Sequence, residues 1–421
     1  MFFYISFLRP PPSQAAPNGS ILITPQIAND LRTEPYESSQ DIFYSWASYP
    51  QTAPQVSSSP AFTLKTTKPV KLTTYRNSSA FKEIPVPVPP GVREGQQWQL
   101  ILSSSAQTRP LKPNYTIDSL LPAVGDVPFP VISMPILFSS KGLKGNVKKQ
   151  ERIERIYRFS NGVPGEGEAT EVVVSRELKI TEQTSFDLDK KIWDSGIGLS
   201  SWLVEFQASD QKRLKEPLDR LWNVLFSTDP RRMVELGLSS KSLADTVLGA
   251  GTGIVSLMVA ALRSKFGITE RRDQIIATDL ESAAPLLNHN ISSNLSLYPQ
   301  NPPEAGVLDW DDENLPDSVS SLQAIDLIFR TSNSRMSDVT YNTDSFPALL
   351  ATISKLLRIG EKPPAILLGY EERDETERGL WHLMKGIGIR LEKIGVRHGF
   401  AEPAIEIWFG HFVSSPSVKM V

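Results

Sequence analysis

A glycine run, Leu248-Gly-Ala-Gly-Thr-Gly253, restricts this chain more than any other feature. It lies between a short apolar segment, TVL at 246–248, and the apolar stretch IVSLMVAALRSKF at 254–266. Glycine has no Cβ, so the chain can turn tightly there and bring its backbone close to a ligand. A helix starting just after the run presents free N–H groups to whatever sits there. Taken alone, such a run is only a turn. The segments downstream give it weight. QIIATDL (274–280), IDLIF (325–329), PAILLGY (364–370) and IEIWFGHF (405–412) read as strands. SAAPLLNHNISSNL, SFPALLATISKLL (345–357) and ERGLWHLMKGIG read as the helices between them. This alternation predicts an α/β fold, with a largely parallel sheet covered by helices on both faces. A last strand entered without a long helix suits an antiparallel edge.

Asp279 follows Gly253 by 26 residues, at the tip of the next strand. A carboxylate in that place can accept both hydroxyls of a ribose. Dinucleotide enzymes and methyltransferases share this strand–glycine loop–helix–strand–acid order. The spacing here is GxGxG rather than GxGxxG, which suits S-adenosylmethionine better than a dinucleotide.

Composition narrows the choice further. The 421 residues include no cysteine, so disulfides, thiolate nucleophiles and zinc–cysteine sites are excluded. The four histidines have no metal-ligand spacing, so no metal is expected. A net charge of −3 gives no global field for nucleic acid or an anionic membrane. The N-terminal apolar run, MFFYISFL, is far shorter than the roughly 20 residues a membrane helix needs. It also lacks the basic start of a secretory signal and reads as a strand entering a domain. A cytoplasmic protein, with nuclear residence also allowed, is the expectation.

Residues 1–150 hold most of the prolines, as in PVPVPP at 85–90, which rules out long helices. Short strands such as ILIT (21–24) and WQLILS (98–103) are expected there, joined by extended or disordered linkers. The role of this partly ordered region is not legible. ERIERIYR (151–158) and EVVVSRELKI (171–180) then read as a strand pair. KKIWDSGIGLSSWLVEF (190–206) reads as an amphipathic helix and 211–227 as a charged one. The expected domains are therefore 1–150 and 151–421.

Five segments together carry a resemblance: LGAGTGIVSL, ATDLESAAPLLNHNISSN, VLDWDDE, SDVTYNTDSFPALLATI and ILLGYEERDETERGLW. Over about residues 185–412 the chain resembles the seven-β-strand protein-lysine methyltransferases, methyltransferase family 16, of a fungal type with a long N-terminal extension. The most specific element is Asp338-Val-Thr-Tyr341, which matches the family's D-x-x-Y. The resemblance implies a class I, Rossmann-like fold, S-adenosylmethionine as cofactor, and a protein substrate such as a translation factor, chaperone or AAA ATPase. It implies that Trp193, Gly249, Ala250, Gly251, Gly253, Asp279, Trp310 and Ser337 bind the cofactor. It places Asp338 and Tyr341 at methyl transfer. Aromatic residues are more often core than cofactor wall, so Trp310 carries little weight alone.

Two stretches depart from the family pattern. Deleting residues 236–247, or equally 238–249, would give MVELGAGTGIVSL, and deleting 330–335 would give IDLIFMSDVTYN. The segments are either retained intron sequence or genuine insertions that form a lid. If genuine, they put Glu235 and the glycine loop apart in sequence, and either MVEL or TVL is the central strand. Methyl transfer to another acceptor (a histidine, an N-terminus or a small molecule) would use the same loop and acid. A non-catalytic binding protein with the same fold would have lost donor binding through the insertions. Transcript reads that span both segments are expected if they are genuine; reads that skip them would mark them as splicing remnants.

Overall fold

The computed structural model describes residues 1–50, 64–107, 113–119, 124–141, 148–160, 175–184, 190–237, 251–266, 272–332, 346–373 and 375–413. The chain divides into two compact units. One holds residues 2–159 with 175–186, and 187–421 makes up most of the other.

The first unit is built from strands. Tyr4–Arg9, Ser20–Ala28 and Ile84–Pro87 form a three-stranded sheet, with Ser20–Ala28 in the middle. A nine-stranded sheet includes Gln40–Tyr49, Gln97–Ser103, Arg152–Ser160 and Ser175–Gln183. The prolines fit because they avoid central hydrogen bonds. Pro85 and Pro87 lie on an edge strand, and Pro25 pairs opposite Phe7 beside a register shift. At the centre, the buried Arg155 pairs with Glu182 at 2.8 Å and donates to the Ile5 carbonyl at 3.0 Å. The boundary expected at residue 150 is displaced. Arg152–Ser160 and Ser175–Gln183 are neighbours at one end of this sheet, so they belong to the first unit.

The second unit has a seven-stranded sheet, and its elements are numbered within the unit. The strands are β1 (Arg232–Leu236), β2 (Gln274–Asp279), β3 (Glu304–Val307), β4 (Leu327–Ser332), β5 (Ala365–Glu371), β6 (Ile389–Arg397) and β7 (Ile405–Phe412). The helices are α1 (Asp194–Gln207), α2 (Leu218–Phe226), α3 (Ile254–Arg263), α4 (Ala284–Ser293), α5 (Asp317–Ser320), α6 (Phe346–Leu356) and α7 (Gly379–Gly386). The sheet order is β3-β2-β1-β4-β5-β7-β6. The first five strands are parallel, while β7 runs antiparallel to both β5 and β6. This is the order of the class I methyltransferase sheet. The last strand, β7, is antiparallel as expected, but it lies between β5 and β6, and β6 forms the edge.

Of the two strands left open, MVEL, within β1, is central, flanked in parallel by β2 and β4. TVL at 246–248 lies outside the described residues. The helix read as amphipathic, α1, is buried on nearly every side, with only Glu205 exposed. Its small residues, Ser195, Gly196, Gly198, Ser200 and Ser201, leave room for neighbours to close on it. The charged stretch 211–227 forms a short 3₁₀ turn and then α2, because Pro217 interrupts it.

A buried ion pair fixes the end of the sheet opposite the site. Arg263, in the last turn of α3, grips both oxygens of Asp273 at 2.8 and 2.7 Å. It also donates to the carbonyls of Leu225 and, at 3.0 Å, Asp229. Asp273 in turn accepts the Arg231 N–H at 2.9 Å, so α2, α3 and the starts of β1 and β2 share one cation. Asp273→Ala is expected to cost about 3–5 kcal/mol in a urea unfolding series, because it strands the Arg263 charge. Arg263→Met combined with Asp273→Leu is expected to cost less than that single change.

Candidate functional site

The C-terminal ends of parallel strands collect the turns that lead into helices, and ligands of open α/β sheets bind there. β1 ends at Leu236 and Gly237, whose N–H donates to the Thr278 carbonyl on β2 at 3.0 Å. The Thr278 hydroxyl donates back to the Glu235 carbonyl at 2.7 Å. These pairs close the described ladder between β1 and β2 at their C-terminal ends.

The glycine loop and the acid meet at those ends. The Gly251 N–H donates to Asp279 Oδ2 at 2.8 Å, and the Leu280 N–H donates to Oδ1 at 2.7 Å. Asp279 is 1% exposed, so its charge is held in low dielectric by backbone donors. Gly251 and Gly253 have φ of 63° and 72°, a left-handed conformation that side chains strain to adopt. A Cβ on Gly253 would also lie 2.3 Å from Leu287 of α4. Asn290, buried on α4, donates to the Thr252 carbonyl at 3.1 Å and pins the loop. Sequence reading missed Asn290, and the signal available was only a polar residue on a helix otherwise read as packing.

Glu235 lies beneath the loop. Its carboxylate accepts the Ser256 N–H from the first turn of α3 at 3.0 Å. Burial pushes this carboxyl up to about 7, and the Ser256 N–H opposes that shift. The family's expected acid before the loop is therefore at the end of β1, although thirteen residues outside the described set separate Gly237 from Gly251 in sequence.

The two tryptophans are both buried. Trp193 occupies the cap position of α1 in an extended conformation. One turn on, a Cβ at Gly196 would lie 3.1 Å from Ile254 at the start of α3, which brings the start of α1 close to the glycine loop. Trp310 follows β3 and packs with Leu236, Leu308 and Phe346. Both indole N–H groups are buried with no acceptor among the described residues. The Thr252 hydroxyl is in the same state. Buried polar groups of this kind are rare in finished cores and common where a ligand completes the set. Gly249, Ala250, Ser337, Asp338 and Tyr341 lie outside the described residues.

Arg330 was not foreseen as a site residue. It pairs with Leu236 and Leu368 near the end of β4, and its side chain is buried. Its guanidinium lies over the Trp310 ring at 5.6 Å. Burial lowers its pKa to about 10, partly offset by the Glu377 carboxylate, so it stays charged at neutral pH.

The sequence also matches known proteins. The model of the lysine methyltransferase family matches residues 173–386, just over half of the chain. The chain belongs to the lysine methyltransferase family. A curated relative, EEF1A lysine methyltransferase 3 of Xenopus tropicalis, is 28% identical over 142 residues. That match covers 33% of this chain and 51% of the relative, so the chain spans about half the relative's length. Among solved structures, magnesium protoporphyrin IX methyltransferase of Synechocystis PCC 6803 is 14% identical, with a TM-score of 0.28. It aligns over 44% of this chain and 70% of its own. A methyltransferase of Pyrococcus furiosus is 11% identical with a TM-score of 0.31, over 47% of this chain and 84% of that one. The fold assignment rests on the strand order, not on these last two similarities.

Glu235 generates a pH prediction. An acid titrating near 7 when folded and near 4.5 when unfolded binds more protons in the folded state between those values. Its contribution is fully present below pH 4.5 and declines as pH rises through 7. Subtracting the Glu235→Gln stability curve from that of the unmodified protein is expected to leave this decline, on the order of 3 kcal/mol. A flat difference would show that Glu235 titrates normally.

Proposed function

We propose that this protein is an S-adenosylmethionine-dependent methyltransferase that methylates a lysine side chain of a protein substrate. The observation that carries the reading is the 2.8 Å contact between the Gly251 N–H and the Asp279 carboxylate at the mouth of β1 and β2. The residues present fit the cofactor. Asp279 would take the ribose hydroxyls, and the backbone of Gly251 and Gly253, with Gly249 and Ala250 before them, would pass beside the amino-acid end. Trp193, Trp310 and Ser337 would line the remainder. Bound there, S-adenosylmethionine supplies a methyl group on a positively charged sulfonium.

The protein's own task is alignment. Holding acceptor nitrogen and methyl carbon in line, about 3 Å apart, turns a bimolecular step into an intramolecular one. The acceptor lysine must lose a proton against a free pKa of about 10.4. A poorly hydrated, aromatic-walled site favours its neutral form. Asp338 and Tyr341 would orient that amine or accept its hydrogen bonds.

Family membership supports lysine as the acceptor and a protein as the substrate. The Xenopus tropicalis relative is named for methylating EEF1A, which makes a translation factor the first substrate to try. Chaperones and AAA ATPases are the next class. Among the described residues no helix is long and apolar enough to cross a membrane, consistent with a cytoplasmic or nuclear place of action.

Recombinant protein incubated with a lysate and methyl-labelled donor, followed by mass spectrometry of labelled peptides, tests the reading. Methyl groups on lysine are expected. Label on histidine, an N-terminus or small molecules would replace the acceptor. Asp338→Ala is expected to lower turnover on the order of a hundredfold with little change in donor affinity. Asp279→Ala is expected to weaken the donor on the order of tenfold or more, with less effect on turnover at saturation. Equal effects on both quantities in each variant would contradict the division of roles.

A further inference from the structure

Arg330 is a charge in a place that charges avoid. It follows Ile328 on the same face of β4, and that face carries the apolar cluster of Val234, Leu236, Trp310, Phe346 and Ile366. The residue is 4% exposed. Its Nε and Nη1 have no hydrogen-bond acceptor among the described residues. The opposing charge that acts on it, Glu377, makes no ion pair with it among the described residues and accepts the Tyr370 hydroxyl at 3.1 Å. The Trp310 ring offers it only a cation–π contact. Desolvating a guanidinium without pairing it costs several kcal/mol, so such a residue persists where something else completes it.

The position says what that is. Arg330 is level with Leu236, the last residue of β1, in the row of strand ends that contains Asp279. A group that neutralises a guanidinium is anionic, and ligands of open α/β sheets arrive at this row of strand ends. We propose that Arg330 receives a carboxylate brought in by a ligand of this site, either the α-carboxylate of the methyl donor or an acidic side chain beside the target lysine. The inference rests on the methyltransferase reading above. It makes Arg330 a recognition residue, contributed by the first position of the segment that departs from the family pattern. The unpaired charge destabilises the empty protein and is compensated on binding.

Calorimetry on the full chain separates the two sources. S-adenosylhomocysteine and its analogue lacking the α-carboxylate are titrated into the unmodified protein, Arg330→Met and Arg330→Lys. Blocked Glu-Lys-Glu and Gln-Lys-Gln peptides are then titrated into each protein loaded with S-adenosylhomocysteine. If the donor brings the carboxylate, the unmodified protein prefers S-adenosylhomocysteine on the order of tenfold or more over the analogue. Arg330→Met then binds both alike, and Arg330→Lys recovers part of the preference. If the substrate brings it, the same pattern appears between the two peptides and not between the nucleosides. In either case unliganded Arg330→Met is expected to melt no lower than the unmodified protein.

Discrimination by Arg330→Met equal to that of the unmodified protein in both comparisons would overturn the proposal and leave the methyltransferase reading standing. An unmodified protein that binds no S-adenosylhomocysteine at all would overturn both.

Discussion

The Gly251 N–H held by Asp279 joins two pieces of chain that the sheet alone would leave apart. β1 and β2 are neighbours through Leu236 and Thr278, and the last described bond between them is from the Gly237 N–H to the Thr278 carbonyl. The Asp279 carboxylate takes over as the connection, accepting backbone N–H groups from the loop and from its own turn. Its companions hold the loop from other sides. Asn290 binds the Thr252 carbonyl, and Glu235 binds the start of α3. The result is a rigid glycine turn with a buried carboxylate beside it, which is the preorganisation a nucleoside site needs.

Insertion at a strand end is tolerated when both flanks stay anchored. The first departure from the family pattern begins at Leu236, the last residue of β1; Gly237 within it is still fixed to Thr278, and Gly251 beyond it is fixed to Asp279. The second begins inside β4. Arg330, Thr331 and Ser332 extend that strand, pairing with Leu368, Gly369 and Tyr370 of β5. The extension gives this sheet a buried guanidinium at the C-terminal end of β4, on the face that carries the apolar cluster.

Much of the second unit was legible because period and punctuation agreed. β2, β5, β7, α3, α4 and α6 lie within the segments that sequence periodicity marked. Pro285 sits in the first turn of α4, where a missing N–H costs nothing. β3 was missed because Glu-Ala-Gly-Val offers four residues and little apolar signal. β6 was missed because it is an edge strand, with charged residues alternating along IRLEKIGVR and a register shift between Lys393 and Gly395. In the first unit, proline density was read as interruption, whereas the prolines named above sit on an edge strand or beside a register shift and leave the sheets intact. In the site, the meeting of Asp279 with the glycine loop was legible because an acid ending an apolar strand, one helix after a glycine turn, has no use in a core. Arg330 was not, because arginine is ordinarily a surface residue and nothing in the sequence marks one that is buried.

The proposed donor site is the glycine loop and Asp279 enclosing a nucleoside. Selective ¹⁵N-glycine labelling of the full chain gives that claim a direct reading. Titration with S-adenosylhomocysteine is predicted to shift the Gly251 and Gly253 amide resonances and to saturate at one equivalent. In Asp279→Asn the same resonances should respond only at higher ligand concentration. Saturable binding that leaves both amides in place would put the ligand elsewhere and contradict this arrangement.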